Sequence, residues 1–290
     1  MVEIFDNIKK IYHFDAPCEE LTDHIEFFSE SSPEETDRHA AGRKFTVKMF
    51  PSWTPTFWIN LGTAYKLKLG KQDYMIRPEE DILLLRDSVA VRHNLPTDHI
   101  FTVKFFPGGL EAILGINQVQ FTGKPFDLRN VLPDRLIQEV KKQLTFDQRK
   151  QLLENFFLLN YHRQNKKNYY RQLVSDSIKI YAAGNMNYNT SQVAERLFLG
   201  SKTINRYFNT VVGTAPKRYF SILRARTALT AYVADRWAFH PVDFGYHDSS
   251  HFYKEVIKFT GQKLSDHHQN VRFLPRIIPT PAIVLPKIQQ

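Results

Sequence analysis

One stretch of the chain decides the fold: residues 194–211 read A-E-R-L-F-L-G-S-K-T-I-N-R-Y-F-N-T-V. Apolar residues spaced three and four apart predict two amphipathic helices, with a tight turn over residues 198–200 between them. Helices that cross steeply need a small residue where their backbones approach, and Ala194 supplies it. Residues 189–212 are therefore predicted to form a helix-turn-helix unit whose second helix covers Ser201–Val211.

The outer face of that second helix carries side chains of the kinds that read base edges. In the major groove of DNA, Arg and Lys hydrogen-bond guanine, and Asn hydrogen-bonds adenine. The candidates, spaced i, i+3, i+4 and i+7, are Lys202, Asn205, Arg206 and Asn209. Any solvent-exposed helix can carry such residues, so this unit alone leaves an ordinary surface helix open as the alternative.

A second unit of the same kind follows a long helix predicted over 215–233. Residues 245–261 read G-Y-H-D-S-S-H-F-Y-K-E-V-I-K-F-T-G, in which Gly245 supplies a turn and Asp248 can cap the next helix. Its predicted outer face carries Ser249, Ser250, Tyr253 and Lys254. Pro241 must start a helix rather than lie within one, so the first helix of this unit is predicted to be short.

These two stretches, within residues 168–270, resemble the DNA-binding domain of the AraC/XylS family of bacterial transcription regulators. The resemblance implies two helix-turn-helix units joined by one long helix, with recognition helices in successive major-groove turns of double-stranded DNA. It implies that Lys202, Asn205 and Arg206 face bases in the first unit, and Ser249, Ser250, Tyr253 and Lys254 in the second. Basic residues that flank these helices are predicted to contact phosphates; they are Lys217, Arg218, Lys258 and Lys263.

Three residues depart from the family pattern. Gly200 stands where the family usually has a Ser N-cap, and Phe198 replaces the usual glycine of the turn. Pro241 stands where the second unit usually has a small Ala. The last departure leaves open whether the second unit reads bases.

Charge divides the chain into two unlike halves. Residues 1–165 hold 21 basic and 23 acidic residues, which gives a net charge of −2. Residues 166–276 hold 17 basic and 7 acidic residues, which gives a net charge of +10. A near-neutral front and a basic back indicate that only the back meets a polyanion. We predict a β-rich sensor or dimerisation domain over 1–165, a DNA-binding domain over 166–272 and a Pro-rich tail over 273–290.

The front half reads as a small antiparallel sheet or barrel with helices at its end, which makes the predicted fold class α+β. Short β-branched and aromatic runs, separated by Pro and Gly, predict strands over 44–50, 56–61, 64–69, 81–85 and 100–106. Helices are predicted over 110–114, 133–144, 146–161 and 169–183. The first forty residues read as mostly loop, with a short helix around 18–29.

A second, weaker resemblance lies in the front half. Residues 99–116, H-I-F-T-V-K-F-F-P-G-G-L-E-A-I-L-G-I, resemble a sensor-like domain found ahead of some AraC-type regulators. In the wider family such domains bind a small effector, dimerise, or do both. Candidate effector-binding residues, suited to an anionic or aromatic molecule, are Trp58, Tyr65, Arg86, Arg92, His93 and Phe106. The alternative is that these aromatics form core and these cations are solvated.

The sequence offers no catalytic or metal-binding pattern. Its single cysteine, Cys18, forms neither an internal disulfide nor a Cys-based zinc site, and no phosphate-binding glycine loop is present. No apolar run reaches membrane-spanning length. We expect a cytoplasmic non-enzyme without metal or cofactor that binds double-stranded DNA; a small effector, RNA polymerase and a second copy of the chain are further candidate partners. The alternative is a ligand-binding or interaction protein whose basic half contacts RNA or an acidic protein.

Overall fold

The computed structural model describes residues 3–4, 11–94, 97–164 and 169–264. The tail predicted over 273–290 lies outside these residues. Two antiparallel sheets form the front half, and helices form the back half. The predicted α+β fold class is therefore confirmed.

The strands form a six-stranded inner sheet and a five-stranded outer sheet. In spatial order the inner sheet contains β11 (Phe126–Asp127), β8 (Ile82–Leu85), β5 (Pro55–Asn60), β10 (Ile100–Phe105), β3 (Ile25–Ser31) and β2 (Tyr12–Asp15). The outer sheet contains β1 (Glu3–Ile4), β4 (Phe45–Met49), β9 (Ala90–Asn94), β6 (Tyr65–Leu69) and β7 (Gln72–Ile76).

The central strands of the inner sheet, β8, β5 and β10, are buried on both faces. Successive side chains of a strand point to opposite faces, so β10 directs Phe101 and Val103 toward the helices and Ile100 toward the outer sheet. The outer sheet has one solvent-exposed face, as the strict alternation of buried and exposed residues along β6 shows. Two cores result, one between the sheets and one between the inner sheet and the helices.

Four helices of the described front half follow the chain as α1 (Pro33–Ala40), α2 (Gly109–Leu114), α3 (Asp134–Val140) and α4 (Phe146–Gln164). Single 3-10 turns cover Glu19–Leu21, Gln118–Phe121 and Leu128–Asn130. The longest of these four, α4, packs on α2 and on the inner sheet, where Phe157 lies 5.8 Å from Phe105 between ring centroids.

The back half is helical throughout its described residues. Its helices are α5 (Tyr169–Ala183), α6 (Thr190–Arg196), α7 (Ser201–Val211), α8 (Pro216–Ala234) and α9 (Ser249–Thr260), with a 3-10 turn at Pro241–Phe244. One hydrophobic cluster runs without a break from the helix-facing side of the inner sheet to α9. The front and back halves therefore share a core.

The helix predicted around 18–29 is wrong. Only Glu19–Leu21 forms a 3-10 turn, and Ile25–Ser31 is strand β3, paired between β10 and β2. The described residues up to 40 also contain more regular structure than predicted, namely β2, β3 and α1. Burial of β3 on both faces removes the alternating pattern that marks a half-exposed strand, and tertiary pairing then decides the conformation.

Candidate nucleic-acid interface

The first unit is built on a tightly capped helix. The side chain of Asn189 accepts a hydrogen bond from the Gln192 backbone N–H at 3.0 Å, and Gln192 Oε1 accepts from the Asn189 N–H at 2.9 Å. This reciprocal pair satisfies two backbone donors at the start of α6. Behind the unit, Ala194 and Ile204 are buried at the crossing of α6 and α7, as the small-residue argument predicts.

The predicted reading residues of α7 lie on its solvent side. Lys202, Arg206 and Asn209 are exposed, whereas Asn205 is half-buried. The amide of Asn205 donates to the Ser201 carbonyl and that of Asn209 to the Asn205 carbonyl, both at 2.8 Å, which engages one of the two N–H donors of each amide. The Arg206 guanidinium lies 5.1 Å from the centre of the Tyr207 ring, which holds it beside the exposed face.

The second unit presents a comparable face on α9. Ser249, Ser250, Tyr253 and Lys254 are all exposed, and the opposite side of α9 buries Phe252 and Val256. Asp248 caps the helix as predicted, since its Oδ1 accepts from the His251 N–H at 2.7 Å.

Pro241 shortens the first helix of this unit to one 3-10 turn, with the proline at its first position. This agrees with the prediction that Pro241 starts a helix and leaves it short. Gly245 follows at φ 72°, and a Cβ there would lie 2.6 Å from the Met186 carbonyl oxygen. The turn therefore needs glycine both for its left-handed backbone and for its close approach to Met186.

A buried ion-pair network ties α8 to the second unit, and the sequence analysis missed it. Arg224 donates to both carboxylate oxygens of Glu255, at 2.9 and 3.1 Å, and to the Gly245 carbonyl at 3.2 Å. The Tyr246 hydroxyl donates to the same carboxylate at 2.6 Å. Planar, bidentate pairing of this kind fixes orientation as well as distance, so α8, the turn and α9 are held as one piece.

The predicted phosphate-contacting residues do not share one environment. Lys217 and Lys258 are exposed, as phosphate contacts must be. Arg218 is also exposed, but its guanidinium lies 5.7 Å from the Trp53 ring of the front half. Lys263, which follows α9, is exposed too.

In the back half, two helix-turn-helix units are joined by α8. That is the arrangement which the resemblance to the AraC/XylS family implied.

Three of the candidate effector residues meet at a cavity of ≈ 40 Å³ between the two sheets. Trp58, Arg86 and Arg92 line it. The sequence analysis missed the other lining residues, which strand register alone brings together: Tyr12, Phe14, Phe27, Ser29, Val47, Met49, Thr56, Thr102 and Lys104.

The other three candidates lie elsewhere. Tyr65 is buried in the core between the sheets, where its ring centre is 5.6 Å from the Arg92 guanidinium. His93 is exposed on the outer sheet, with Nδ1 3.3 Å from the Thr46 hydroxyl. Phe106 follows β10, and its backbone N–H donates to the His24 carbonyl at 2.8 Å. Neither His93 nor Phe106 lines the cavity.

The cavity wall is rich in buried cations. Arg92 is 3% exposed and lies within 6 Å of the rings of Tyr12, Trp58 and Tyr65. Aromatic faces stabilise a guanidinium that has lost its water. Lys104 is fully buried, and its ammonium lies 3.1 Å from a Glu26 carboxylate oxygen.

A β-bulge produces the Lys104–Glu26 pair. Lys104 pairs with Phe27 and Phe105 with Ile25, so Glu26 is one extra residue on β3. A bulge breaks the two-residue alternation of a strand, which lets the Glu26 carboxylate reach Lys104. Burial raises the pKa of the Glu26 carboxyl, but the nearby positive charges, first Lys104 and then others such as Arg226, together lower it by more, so the net shift is downward.

Within the described ranges, no three His, Cys, Asp or Glu side chains come together as a metal site. Cys18 is half-buried, and burial raises the pKa of its thiol, which is unfavourable for a nucleophile. Among the helices that the structure describes, none combines the length and apolar character needed to cross a membrane.

No family model matches the chain, and no curated protein sequence matches it. Among solved structures it is similar to ToxT from Vibrio cholerae O395 at 12% identity and a TM-score of 0.46, over 78% of this chain and 96% of that one. It is also similar to unsaturated fatty acid bound wild-type ToxT from Vibrio cholerae strain SCE256, at 11% identity and a TM-score of 0.43, over 79% and 95%. A third similar structure is the AraC-like transcriptional activator CuxR, at 10% identity and a TM-score of 0.27, over 78% and 88%.

Proposed function

We propose that the chain is a sequence-specific, double-stranded DNA-binding transcription regulator of the AraC/XylS type. The observation that carries the proposal is the pair of helices α7 and α9. Each has a polar, exposed face opposite a buried one, and α8 holds both in one piece. A helix of this kind fits the major groove, and two such helices on a rigid support suit two successive turns of DNA.

Charge supports the same proposal. The back half carries a net charge of +10, and the exposed ends of Lys202, Lys217 and Lys258 add positive charge on or beside the reading helices. Binding through phosphate contacts releases counterions, so the affinity for DNA is expected to fall steeply with salt. The proposal places this activity in the bacterial cytoplasm.

Selection of bound duplexes from a random-sequence DNA library, at two salt concentrations, tests the proposal with the purified full chain. We expect an enriched motif of two half-contacts about one helical turn apart. A single short motif would mean that α9, behind its shortened partner helix, does not read bases. Salt-dependent binding with no motif would contradict sequence-specific recognition. A preference for single-stranded RNA over duplex DNA would favour the alternative, an RNA-binding or interaction protein.

We further propose that the cavity between the sheets takes an anionic effector. Arg86 and Arg92 bring positive charge to its wall, where Lys104 is paired with Glu26, and Trp58 supplies an aromatic face. Its volume of ≈ 40 Å³ equals roughly three water molecules, which suits a carboxylate headgroup rather than a whole lipid chain. Binding to RNA polymerase and binding to a second copy of the chain stay predictions.

Thermal unfolding of the full chain tests the effector proposal. The probes are a short-chain carboxylate, an unsaturated fatty acid and, as a control, the alcohol of the same chain length as the short acid. A ligand bound only by the native state raises Tm, by an amount that grows with its concentration. We expect the short acid to raise Tm and the alcohol to leave it unchanged. Equal shifts with acid and alcohol would contradict recognition of negative charge.

A further inference from the structure

The front half contacts the C-terminal ends of both reading helices. At the end of α7 the contact is made by two side-chain amides from the 3-10 turn after α2. Asn117 donates to the Thr210 carbonyl at 2.9 Å, and Gln118 donates to the Val212 carbonyl at 3.0 Å. The last carbonyls of a helix have no partner within the helix. Here the front half supplies those partners.

Gln118 is the centre of this contact. It is 0% exposed, and its amide makes two further hydrogen bonds inside the front half. Its Nε2 donates to the Trp53 carbonyl at 3.1 Å, and its Oε1 accepts from the Gly108 N–H at 2.9 Å. A buried amide with three partners holds all of them in register, because losing any one leaves a polar group unsatisfied.

Gly108 belongs to the Pro-Gly-Gly sequence of residues 107–109, and it lies at the same contact. A Cβ on Gly108 would lie 2.9 Å from Cγ1 of Val211 in α7. A Cβ on Gly213, just after α7, would lie 3.2 Å from the Trp53 ring. The close approach of the two halves therefore depends on small residues on both sides.

At the end of α9 the front half makes one apolar contact, through Phe50, and one charged contact, through Lys48. Phe50 is buried, with its ring centre 6.0 Å from that of Phe259 in α9. The Lys48 ammonium lies 3.6 Å from the position of a Cβ on Gly261, which ends α9. A cation beside a helix C-terminus is favourable, because that end carries a partial negative charge.

Residues 50–53, which we call the bridging segment, connect these two contacts. Phe50 contacts α9, and Trp53 contacts the end of α7 through Gln118 and Gly213. The segment is also anchored to the cavity wall. The N–H groups of Ser52 and Trp53 both donate to the Arg86 carbonyl, at 2.9 and 3.0 Å, while the Arg86 side chain lines the cavity.

We propose that the bridging segment and Gln118 fix the position of α7 relative to α9, so that the front half sets the spacing between DNA half-contacts that the protein accepts. This rests on the proposed function of the two helices as DNA readers. Gln118 and Phe50 are then positioning residues, since neither reaches the exposed reading faces. Helix α8 connects the two units at one side, and the bridging segment connects their ends at another.

Spacing selectivity tests this role. The full chain is titrated with duplexes that carry its selected motif, and with duplexes that have one or two base pairs inserted between the half-contacts. We expect the native chain to lose affinity about tenfold or more on insertion, because one half-contact is lost. On the same insertions, we expect the affinity of Gln118→Met and Phe50→Ala to fall about threefold or less. Their base preference inside each half-contact should be unchanged.

Asn60→Leu is the matched control. The buried side-chain amide of Asn60 also makes three hydrogen bonds, all within the front half: it donates to the carbonyls of Thr63 at 3.0 Å and Arg77 at 3.1 Å, and it accepts from the Gly62 N–H at 3.1 Å. It is expected to keep the native spacing profile even if it lowers stability.

Native spacing profiles in both Gln118→Met and Phe50→Ala would overturn the proposal. If either variant does not fold, Asn117→Ala decides, because Thr210 is the partner that this side chain bonds across the interface, while its bonds to Glu111 and from the Val119 N–H stay within the front half. It is expected to shift the profile in the same direction. Absence of any two-part motif for the native chain would instead be a failure of the proposed function.

Discussion

At the scale of single residues, Arg206 and Lys217 are both exposed cations, but they lie in different places. Arg206 is on the outer face of α7 and Lys217 is at the start of α8. We expect Arg206→Ala to weaken binding to the selected motif by roughly 1–3 kcal/mol and to blur one base position. Lys217→Ala should weaken binding to all sequences alike, and it should reduce the slope of log affinity against log salt concentration by about one. Identical behaviour across sequences would contradict this division of roles.

A second residue-scale prediction concerns Glu26 and Lys104. The folded-state pKa of Glu26 is below its unfolded value of about 4.3, so the pair contributes stability above that pH. That stability is lost as pH falls through the unfolded value toward the folded one, because the unfolded chain then binds more protons. Glu26→Gln leaves the Lys104 charge without this carboxylate and should lower the free energy of unfolding at pH 7 by about 3 kcal/mol.

Urea titrations at pH 7 and pH 4 measure both effects. The difference between the native chain and Glu26→Gln should shrink at pH 4. Glu139→Gln is the control, because Glu139 pairs with Lys142 at 2.6 Å on the surface; such pairs contribute at most about 1 kcal/mol. An equal loss of stability in the two variants would show that burial of the Lys104–Glu26 pair is unimportant.

The exposure of the proposed reading residues could be predicted from sequence, whereas most of the cavity could not. Helical spacing alone places Lys202, Arg206 and Asn209 on one side of α7, and that side is exposed. The cavity combines side chains from strands far apart in sequence, and a bulge directs Glu26 toward Lys104. Register and bulges depend on tertiary pairing, so the sequence analysis found Arg86 and Arg92 but missed Lys104.

At the scale of elements, the backbone of the turn in the first unit is strained at Phe198. Phe198 has a left-handed backbone, φ 54°, and its side chain is 98% exposed. The turn closes α6 by a Schellman motif, in which Phe198 N–H donates to the Glu195 carbonyl at 3.0 Å and Leu199 N–H to the Ala194 carbonyl at 2.9 Å. Glycine is the residue that this position favours.

We therefore expect Phe198→Gly to raise the free energy of unfolding by about 1 kcal/mol, since strain is relieved and no packing is lost. Phe198→Ala is the control. It removes the ring but keeps the Cβ in the left-handed conformation, so its stability should stay close to that of the native chain. Urea denaturation of the full chain measures both variants. A gain in Phe198→Ala as large as in Phe198→Gly would assign the cost to the exposed ring instead.

Helices of this chain were easier to predict than strands. Ser201–Val211 and Tyr169–Ala183 match the predicted bounds, because a 3.6-residue period over three turns or more is a strong local signal. Strands β7 and β9 of the outer sheet went unpredicted, as did β3. Strand β9 is stabilised by its pairing with β4 and β6, and a local sequence pattern carries no information about that pairing.

At the scale of the whole molecule, charge and packing divide the chain differently. Net charge changes sign near residue 165, and the predicted boundary between 165 and 166 lies in a part of the chain that the structure does not describe. The core does not divide there. It continues from Phe105 and Phe157 of the front half to Phe208 and Phe252 of the back half. One hydrogen bond of Gln118, to the Val212 carbonyl, crosses between the halves within that core.

A continuous core predicts that front and back unfold together. Linked domains with small polar interfaces unfold separately, whereas a shared apolar core makes either half unstable without the other. Tryptophan fluorescence reports the front half, where Trp53 and Trp58 are buried while Trp237 of the back half is already exposed. Circular dichroism at helical wavelengths reports mainly α5 to α9. In urea we expect coincident midpoints for the native chain, and separate midpoints would mean that the interface at Gln118 and Phe50 is too weak to couple the halves.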